Sequence, residues 1–356
     1  MDFELTEEQA MLRDVSRSML SAHCPATLVR SLAENNRDLD EKLWQRGVDL
    51  GWLGLAVPEE AGGAGQGLVE LSLVAEELGR AVAPGPVIET ALAARALAGG
   101  PAANHDLLEG VLDGRLRAAW AHHGDVTVAI DVNDLELDGV AVAVHGPNTA
   151  DLLMVTATAP TGVVLLLVDT RDTVVRSSRT LDETRSRATV SFTGVLLPRT
   201  RILTSDPAEV RWYLDAAMVL VAADALGAGE ALLAMTVEHA KVREQFGRPL
   251  GSFQSVKHKV ADMLMTTKAV RASTYYAAMA LDAGAADATL SASVAKAFSG
   301  EEIPQLASQA LQTLGGIGFT WEHDLHLYLR RAKADQMLHG TPTELHERII
   351  TLIEQP

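Results

Sequence analysis

Aromatic residues are scarce in this sequence, and cysteine is almost absent. Phe, Trp and Tyr make up 4% of the 356 residues, whereas hydrophobic residues as a whole make up 47%. We therefore expect a core that is mostly aliphatic and helical. The single cysteine, Cys24, cannot form an internal disulfide, so a reducing compartment and a packed, idle thiol are expected. The length is sufficient for two or three domains.

Basic residues are also in deficit, with 30 Lys and Arg against 47 Asp and Glu and a net charge of -17. This balance argues against nucleic acid as a partner, because binding phosphates needs a basic face. An anionic ligand would have to be held by a local cluster of positive groups. The start, MDFELTEEQAMLRDV, is acidic and amphipathic and has neither the basic start nor the apolar run of a signal peptide. The sequence also contains no uncharged apolar run of about 18 residues, so no membrane span is predicted. These absences predict a cytoplasmic protein with no membrane partner.

The hydrophobic pattern divides the sequence into three parts. Residues 1–114 have helical spacing, beginning after a predicted N-cap at Thr6. Residues 115–206 are short β-branched runs separated by turn residues, which predicts a small antiparallel β domain. Residues 207–356 return to long helical patterns typical of an antiparallel bundle. The predicted fold is α+β and mostly α: an N-terminal helical domain, a middle β domain and a C-terminal four-helix bundle. The glycine-rich LAVPEEAGGAGQG is predicted to be a plain loop rather than a phosphate loop, because no strand and helix alternate around it.

Two segments of the last part carry residues suited to a nucleotide. The first, REQFGRPLGSFQSVKHK, places an arginine and a glutamine at the ends of consecutive helices. The second, QTLGGIGF, ends a helix with a glycine pair that lets backbone amides approach an anion. An arginine fork matches a diphosphate, and glutamine amides can bond ribose or adenine edges. Taken singly, each segment is more typical of a helix C-cap or a structural glutamine than of a nucleotide site.

Together, and with LTEEQ, LWQRGVDLGWLGLAVPEEAGGAG and VAEELGR near the start, these segments resemble the acyl-CoA dehydrogenase family over nearly the whole chain. The resemblance implies that family's helical–β–helical arrangement, FAD bound between subunits and an acyl-CoA thioester as substrate. It also implies that seven residues of this chain bind FAD, chiefly the ADP half of a neighbouring subunit's FAD: Arg243, Phe246, Gln254, Gln312, Gly315, Gly316 and Thr341.

The residue that the family uses as a base is missing. Many members carry Glu-Gly-Thr after RRAK, and that carboxylate removes the α-proton while hydride leaves the β-carbon for the flavin. Here the match is His339-Gly340-Thr341. Other members place the base on the first helix of the last domain, where this chain has Ala217 and Met218. The flavin-cradling Thr-Glu-Pro-x-x-Gly-Ser-Asp motif and the aromatic-Ile-Thr strand also have no counterpart. No catalytic residue is therefore predicted in this chain.

Three functions remain open. The first is a glutamate-lacking subunit of a heteromeric (α2β2) acyl-CoA dehydrogenase of bacterial steroid and cholesterol side-chain breakdown. Its partner would carry the catalytic glutamate and most of the acyl-CoA site, with an acceptor such as electron-transfer flavoprotein. The second is a self-sufficient flavoenzyme, either with His339 as the base or as a flavin monooxygenase. The third is a flavin-free structural or regulatory homologue, against which the retained ADP contacts weigh.

The remaining polar side chains have simpler explanations. Three residues within one helical turn raise the question of a metal: Glu322, His323 and His326. Zinc normally takes three or four ligands with a supporting shell, and the segment is typical of an ordinary helix start, so no metal is predicted. His122 and His123 are interpreted as exposed loop histidines. Asp215 is interpreted as a carboxylate on the face of a helix.

Overall fold

The computed structural model describes residues 4–131 and 134–354, within which eleven α-helices and ten β-strands are formed. Backbone contacts divide the described chain into two compact units. A helical unit combines the described parts of Met1–Val29, Ser72–Ala83 and Asp215–Pro356, and a mixed unit combines Arg30–Leu71 and Pro84–Leu214. The mostly helical fold with a central sheet is confirmed. The boundaries at 114/115 and 206/207 remain a prediction.

The helical unit is dominated by long helices from the end of the chain. Its helices are α1 Glu7–His23, the part of α4 Leu68–Arg80 from Ser72 onward, the part of α7 Pro207–Val242 from Asp215 onward, α8 Gln254–Asp282, α9 Ala288–Leu314, α10 Leu325–Met337 and α11 Pro342–Glu354. Thr6 caps α1 as predicted: Gln9 N donates to Thr6 Oγ1 at 3.2 Å, and Thr6 N donates to Gln9 Oε1 at 3.0 Å. This reciprocal pair is a capping box.

Helices α4 and α7 cross at two glycines, which allows their backbones to touch. A Cβ added at Gly79 would lie 1.9 Å from the Asp224 carbonyl oxygen, and one at Gly227 would lie 1.8 Å from that of Glu76. No side chain fits at either position, so the crossing requires glycine. It also brings two buried carboxylates together with cations from α8 and α10: Arg271 bonds Glu76 at 2.8 and 2.9 Å, and Arg331 lies 3.2 Å from Asp224.

The mixed unit contains the sheet and four shorter helices. The helices are α2 Ala26–Glu34, of which the mixed unit holds the part from Arg30 onward, α3 Glu41–Asp49, α5 Val87–Gly99 and α6 His105–Leu112. The strands are β1 Ala118–Ala121, β2 Gly124–Ile130, β3 Asp134–His145, β4 Leu152–Ala159, β5 Gly162–Asp169, β6 Val174–Ser178, β7 Arg187–Pro198 and β8 Ile202–Thr204. Valine and leucine side chains from most of these strands share one buried cluster.

The sheet order is β6-β7-β3-β2-β4-β5-β8, with β1 beside β4. The antiparallel prediction is confirmed for most pairs, but β4 runs parallel to both β1 and β2. The sequence pattern missed β6 and β8. Strand β6 is an almost fully exposed edge strand with the sequence VVRSS, and β8 is three residues long, so neither shows a hydrophobic alternation.

Helix α7 is long and apolar enough to cross a membrane by length and composition, and 78% of its most apolar stretch is buried inside the structure. The core helix of a globular protein passes the same test.

The segment 55–67 is confirmed as a loop, with one 3-10 turn at Glu59–Ala61 and no flanking strand.

Candidate functional site

A short hairpin links α7 to α8 and exposes an aromatic ring. Strands β9 Glu244–Gln245 and β10 Arg248–Pro249 are joined by Phe246 and Gly247, both at positive φ (53° and 75°). Two-residue hairpin loops of this type favour Asn-Gly, and a bulky residue there is an outlier. Phe246 is nevertheless 93% exposed. A strained backbone that presents a ring to solvent makes Phe246 a candidate functional residue. The sequence predicted a helix end here and, through the family resemblance, an FAD contact at Phe246, but it did not predict the hairpin.

The base of the hairpin is supported by ring contacts. The Arg248 guanidinium lies 4.0 Å from the ring centre of Phe253, and Phe246 meets Phe253 edge to face at 6.2 Å. Gln254 is the first residue of α8, as predicted, and is exposed. Arg243 directly follows α7 and is also exposed.

The glycine pair ends α9 and faces open space. Gly315 is the C-cap at φ 64°, a conformation that favours glycine. A Cβ added at Gly315 or Gly316 would meet nothing within 4 Å. Gln312, in the last turn of α9, is exposed. The turn therefore has room for a ligand against its backbone.

The topology brings these six predicted residues to one end of the helical unit. Helices α8 and α9 pack against each other and are joined by residues 283–287 only, so Gln254 and Gln312 lie at the same end of the pair. The hairpin places Arg243 there too. His239 lies in the last turn of α7. Burial lowers its pKa, and the nearby charges of Arg243 and His323 lower it further. His323 precedes α10, so the segment before α10 also reaches this end.

The turn that carries His339 lies elsewhere, between α10 and α11. His339 is half-buried at φ 52°, and Gly340 follows at 111°. Thr341 caps α11: its N–H and hydroxyl both donate to the Glu344 carboxylate at 2.8 Å, and Glu344 N donates to Thr341 Oγ1 at 3.3 Å. The Thr341 hydroxyl thus has a structural task in addition to its predicted role at FAD.

A buried lysine fixes this turn to the middle of α9. Lys296 is 1% exposed, and its Nζ donates to Gly340 O at 3.2 Å and Gln336 O at 3.4 Å. Gln336 Nε2 in turn donates to Gly300 O at 2.7 Å. Burial lowers the pKa of Lys296 to about 8, although the Asp335 charge opposes this. Lys296 was not predicted from the sequence, in which a lone cation among the small residues of SASVAKAFSG was the available signal.

The second possible base position is filled by packed side chains. Ala217 and Met218 are buried, and Met218 packs with Ala297 and Leu345 of α9 and α11. Neither side chain offers a proton acceptor. Arg348 closes this cluster, with Nη1 3.5 Å from Met218 Sδ.

Asp215 differs from its interpretation as a helix-face carboxylate. It is 1% exposed, and it accepts hydrogen bonds from Arg348 Nη2 at 2.6 Å and Thr289 Oγ1 at 2.7 Å. It therefore ties α7, α9 and α11 together, because burial of a carboxylate demands such partners.

The two groups of predicted site residues are well separated. Met218 and Val242 lie 24 residues apart on α7, which corresponds to about 36 Å along a helix. On α9, Gly300 lies beside the His339 turn and Leu314 lies at the end of the helix. The same rise per residue places them about 21 Å apart. Thr341 therefore lies with His339 and apart from the other six predicted FAD contacts.

The histidines around the start of α10 and in the loop between β1 and β2 have local partners. Leu325 N donates to His323 Nδ1 at 3.1 Å, and His326 packs edge to face on Trp321 at 4.6 Å. No three ligand side chains of the described residues come together as a metal site. His122 and His123 are half-buried rather than exposed, with ring centres 3.7 Å apart. Burial, followed by the charge of His123, lowers the pKa of His122 to about 3.

Comparison with known proteins agrees with this architecture. Models of the acyl-CoA dehydrogenase N-terminal and C-terminal domains match residues 6–115 and 210–352. The chain is 34% identical to acyl-CoA dehydrogenase IpdE2 of Mycobacterium tuberculosis over 96% of both proteins. Among solved structures it resembles a variant of the Tcur3481–Tcur3483 steroid ACAD, with 33% identity, 98% of both chains covered and a TM-score of 0.91. It also resembles the ChsE4–ChsE5 complex from Mycobacterium tuberculosis, with 28% identity, 100% of both chains covered and a TM-score of 0.94. By sequence and by fold, this chain belongs to the acyl-CoA dehydrogenase family.

Proposed function

We propose that this chain is the glutamate-lacking subunit of a heteromeric, FAD-dependent acyl-CoA dehydrogenase. The observation that carries the proposal is an asymmetry within the helical unit. One end keeps an exposed arginine, ring, amides and glycine turn suited to a dinucleotide, whereas the base positions hold Ala217, Met218 and His339. Neither position therefore offers the carboxylate that would remove an α-proton.

The residues at the nucleotide end fit the ADP half of FAD. Arg243 is exposed and suited to a diphosphate. The open space before Gly315 and Gly316 accommodates a close approach of phosphate to the backbone. Gln254 and Gln312 supply amides that donate to and accept from ribose or adenine. When bound, the flavin supplies the hydride acceptor; the residues of this chain bind and orient it across a subunit interface.

A homologous partner subunit would supply what this chain lacks. In this proposal it brings the catalytic glutamate, the flavin cradle of the β domain and the acyl-CoA site, within an α2β2 assembly. The resemblance to a steroid ACAD and to the ChsE4–ChsE5 complex supports a heteromer acting on a steroid side-chain acyl-CoA. Electron-transfer flavoprotein is the proposed acceptor and the cytoplasm the proposed location.

Flavin content per chain tests the proposal. The protein is purified alone and then co-expressed with the acyl-CoA dehydrogenase encoded beside it. We expect a lone chain without flavin and a pair with about one FAD per two chains, as an FAD shared between two subunits requires. A lone chain that holds one FAD and oxidises an acyl-CoA would overturn the proposal.

Two variants locate the flavin contact. Arg243→Gln in the pair should lower the FAD content, because it removes the proposed diphosphate contact. Arg211→Gln, an exposed arginine at the start of α7, is the matched control and should keep it. Equal flavin content in both variants would show that Arg243 does not contribute to FAD binding.

A further inference from the structure

Within the mixed unit, an arginine of α5 lies over two aromatic rings at the start of α7. The Arg95 guanidinium carbon is 3.7 Å from the ring centre of Trp212 and 5.9 Å from that of Tyr213. The two rings meet edge to face at 5.2 Å. Cation–π contacts of this kind hold the guanidinium in one place. None of the three residues belongs to the proposed flavin site.

The polar groups of this cluster are not used within the chain. Arg95 is half-buried and makes no hydrogen bond or ion pair with residues 4–131 and 134–354. The Tyr213 hydroxyl also has no hydrogen-bond partner among these residues, although Tyr213 is 5% exposed. A buried tyrosine hydroxyl normally finds a partner. Packing against Trp212 explains where the guanidinium lies, but it leaves the N–H groups of Arg95 and the Tyr213 hydroxyl open to a ligand.

The Tyr213 hydroxyl keeps its proton and can therefore donate it. Burial raises the pKa of Tyr213; the Arg95 charge opposes the rise, and the Glu209 charge adds to it. The influence of Arg95 on this hydroxyl agrees with the 5.9 Å distance between the guanidinium and the ring. The guanidinium and the hydroxyl therefore lie close enough to donate to one acceptor group.

The chemistry of these donors selects the ligand. Two N–H groups on one edge of a guanidinium bind a carboxylate bidentately, and the hydroxyl adds a third hydrogen bond. Glu209, exposed and one turn before Tyr213 on α7, repels a dianion more than a monoanion. An uncharged ligand would leave the half-buried guanidinium without a counter-charge. We propose that Arg95, Trp212 and Tyr213 form a binding site for a small organic monocarboxylate.

Calorimetric titration of the full chain with butyrate, butyramide and inorganic phosphate tests the site. Butyramide has the shape of butyrate without its charge, so butyrate should bind at least tenfold more tightly. Phosphate should bind at least tenfold more weakly than butyrate, because Glu209 repels its second charge. The proposal is overturned if butyrate does not bind at millimolar concentration, or if butyramide or phosphate binds as tightly as butyrate.

Substitutions locate the carboxylate. Tyr213→Phe keeps the ring and removes only the hydroxyl, so it should weaken butyrate about tenfold, as expected for a hydrogen bond to a charged group. Arg95→Gln should weaken butyrate by at least as much. Arg211→Gln, an exposed arginine beside Trp212, is the matched control and should not change the affinity. Glu209→Gln should strengthen phosphate more than butyrate, since it removes the repelling charge.

Denaturant unfolding of each variant confirms that it is folded before titration. The same butyrate affinity in the Arg95→Gln, Tyr213→Phe and Arg211→Gln chains would overturn the proposal. Because none of these residues is a proposed flavin contact, that outcome leaves the proposed function untouched.

Discussion

Lys296 and Gly340 join the middle of α9 to the turn before α11, through a 3.2 Å hydrogen bond from a buried ammonium group to a main-chain carbonyl. The contact spans 44 residues of sequence and fixes the turn that holds His339. It also places a charge where burial lowers its pKa to about 8. The consequence is measurable as a dependence of stability on pH.

Raising the pH should stabilise the protein through Lys296. The folded-state pKa of about 8 lies below the usual value for lysine, so the unfolded state binds more protons between pH 8 and 10.5 and unfolding becomes less favourable as pH rises. The stabilisation is fully present above the pKa of lysine in the unfolded chain, 10.5, and is lost as pH falls through 8. Over this range the free energy of unfolding should change by up to about 3 kcal/mol. Denaturant unfolding of the wild type and Lys296→Met from pH 7.5 to 10 checks this. The same pH slope in both proteins would contradict it.

The helices and most strands follow from local patterns, and the elements that escaped prediction show the limit of those patterns. Strand β7 alternates buried and exposed residues along much of its length, and its residue pattern predicts it directly. Strand β6 is an exposed edge with no alternation, so only its pairing with β7 defines it. The hairpin at Phe246 was missed because Phe at positive φ contradicts turn preferences.

The candidate site divides in the same way. The places of Arg243, Gln254 and the Gly315–Gly316 turn at helix ends could be predicted, because capping residues and glycine mark helix ends in a sequence. Their role at FAD was implied by the family resemblance and stays a prediction. The hydrogen bonds of Lys296 and Asp215 could not be predicted from the sequence. They join helices that are distant in the chain, and a buried charge looks like a surface charge until its neighbours are known.

Replacing the strained ring should separate stability from flavin binding. Phe246→Asn creates the Asn-Gly loop that two-residue hairpins prefer, and we expect the lone chain to gain up to about 1 kcal/mol. The pair should hold FAD at least tenfold more weakly, because the exposed ring is lost. Denaturant unfolding and flavin release on dilution measure the two effects. A loss of stability would mean that the contact of Phe246 with Phe253 outweighs the backbone strain.

The ion pair of Arg331 and Asp224 should be costly to break. Both side chains are 0% exposed, and Arg331 Nη2 also donates to Ala83 O at 3.1 Å. Arg331→Met leaves a buried carboxylate without its guanidinium, and such changes cost about 3–5 kcal/mol. The double variant Arg331→Met, Asp224→Leu should recover most of this loss, since it removes both charges of the pair. Urea unfolding of the three proteins decides, and a double variant no more stable than the single one would contradict the electrostatic explanation.

Glu89 should stabilise the mixed unit at neutral pH and lose that effect in acid. His145 Nδ1 lies 2.7 Å from Glu89 Oε1. Burial alone would raise the pKa of Glu89, but the charges of His145 and Arg185 hold it at about 2. The stabilisation is therefore present above the unfolded pKa and is lost as pH falls toward 2. Because the Glu89 side chain is 17% exposed, we expect about 2 kcal/mol between wild type and Glu89→Gln at pH 7. The difference should shrink between pH 5 and 3.5; a constant difference would point to packing instead.

His339 should be dispensable for turnover when the chain is paired with its partner. If the base is the partner's glutamate, His339→Ala in the co-expressed pair should leave kcat for an acyl-CoA unchanged within about twofold, whereas loss of a general base costs about 10²–10⁴. Replacing the partner's glutamate by glutamine is the matched control and should abolish turnover. The φ of 52° at His339 makes Ala a strained choice, so His339→Asn, which tolerates that conformation, is measured beside it. A fall in kcat of a hundredfold in both variants would make His339 the base and this chain a complete enzyme.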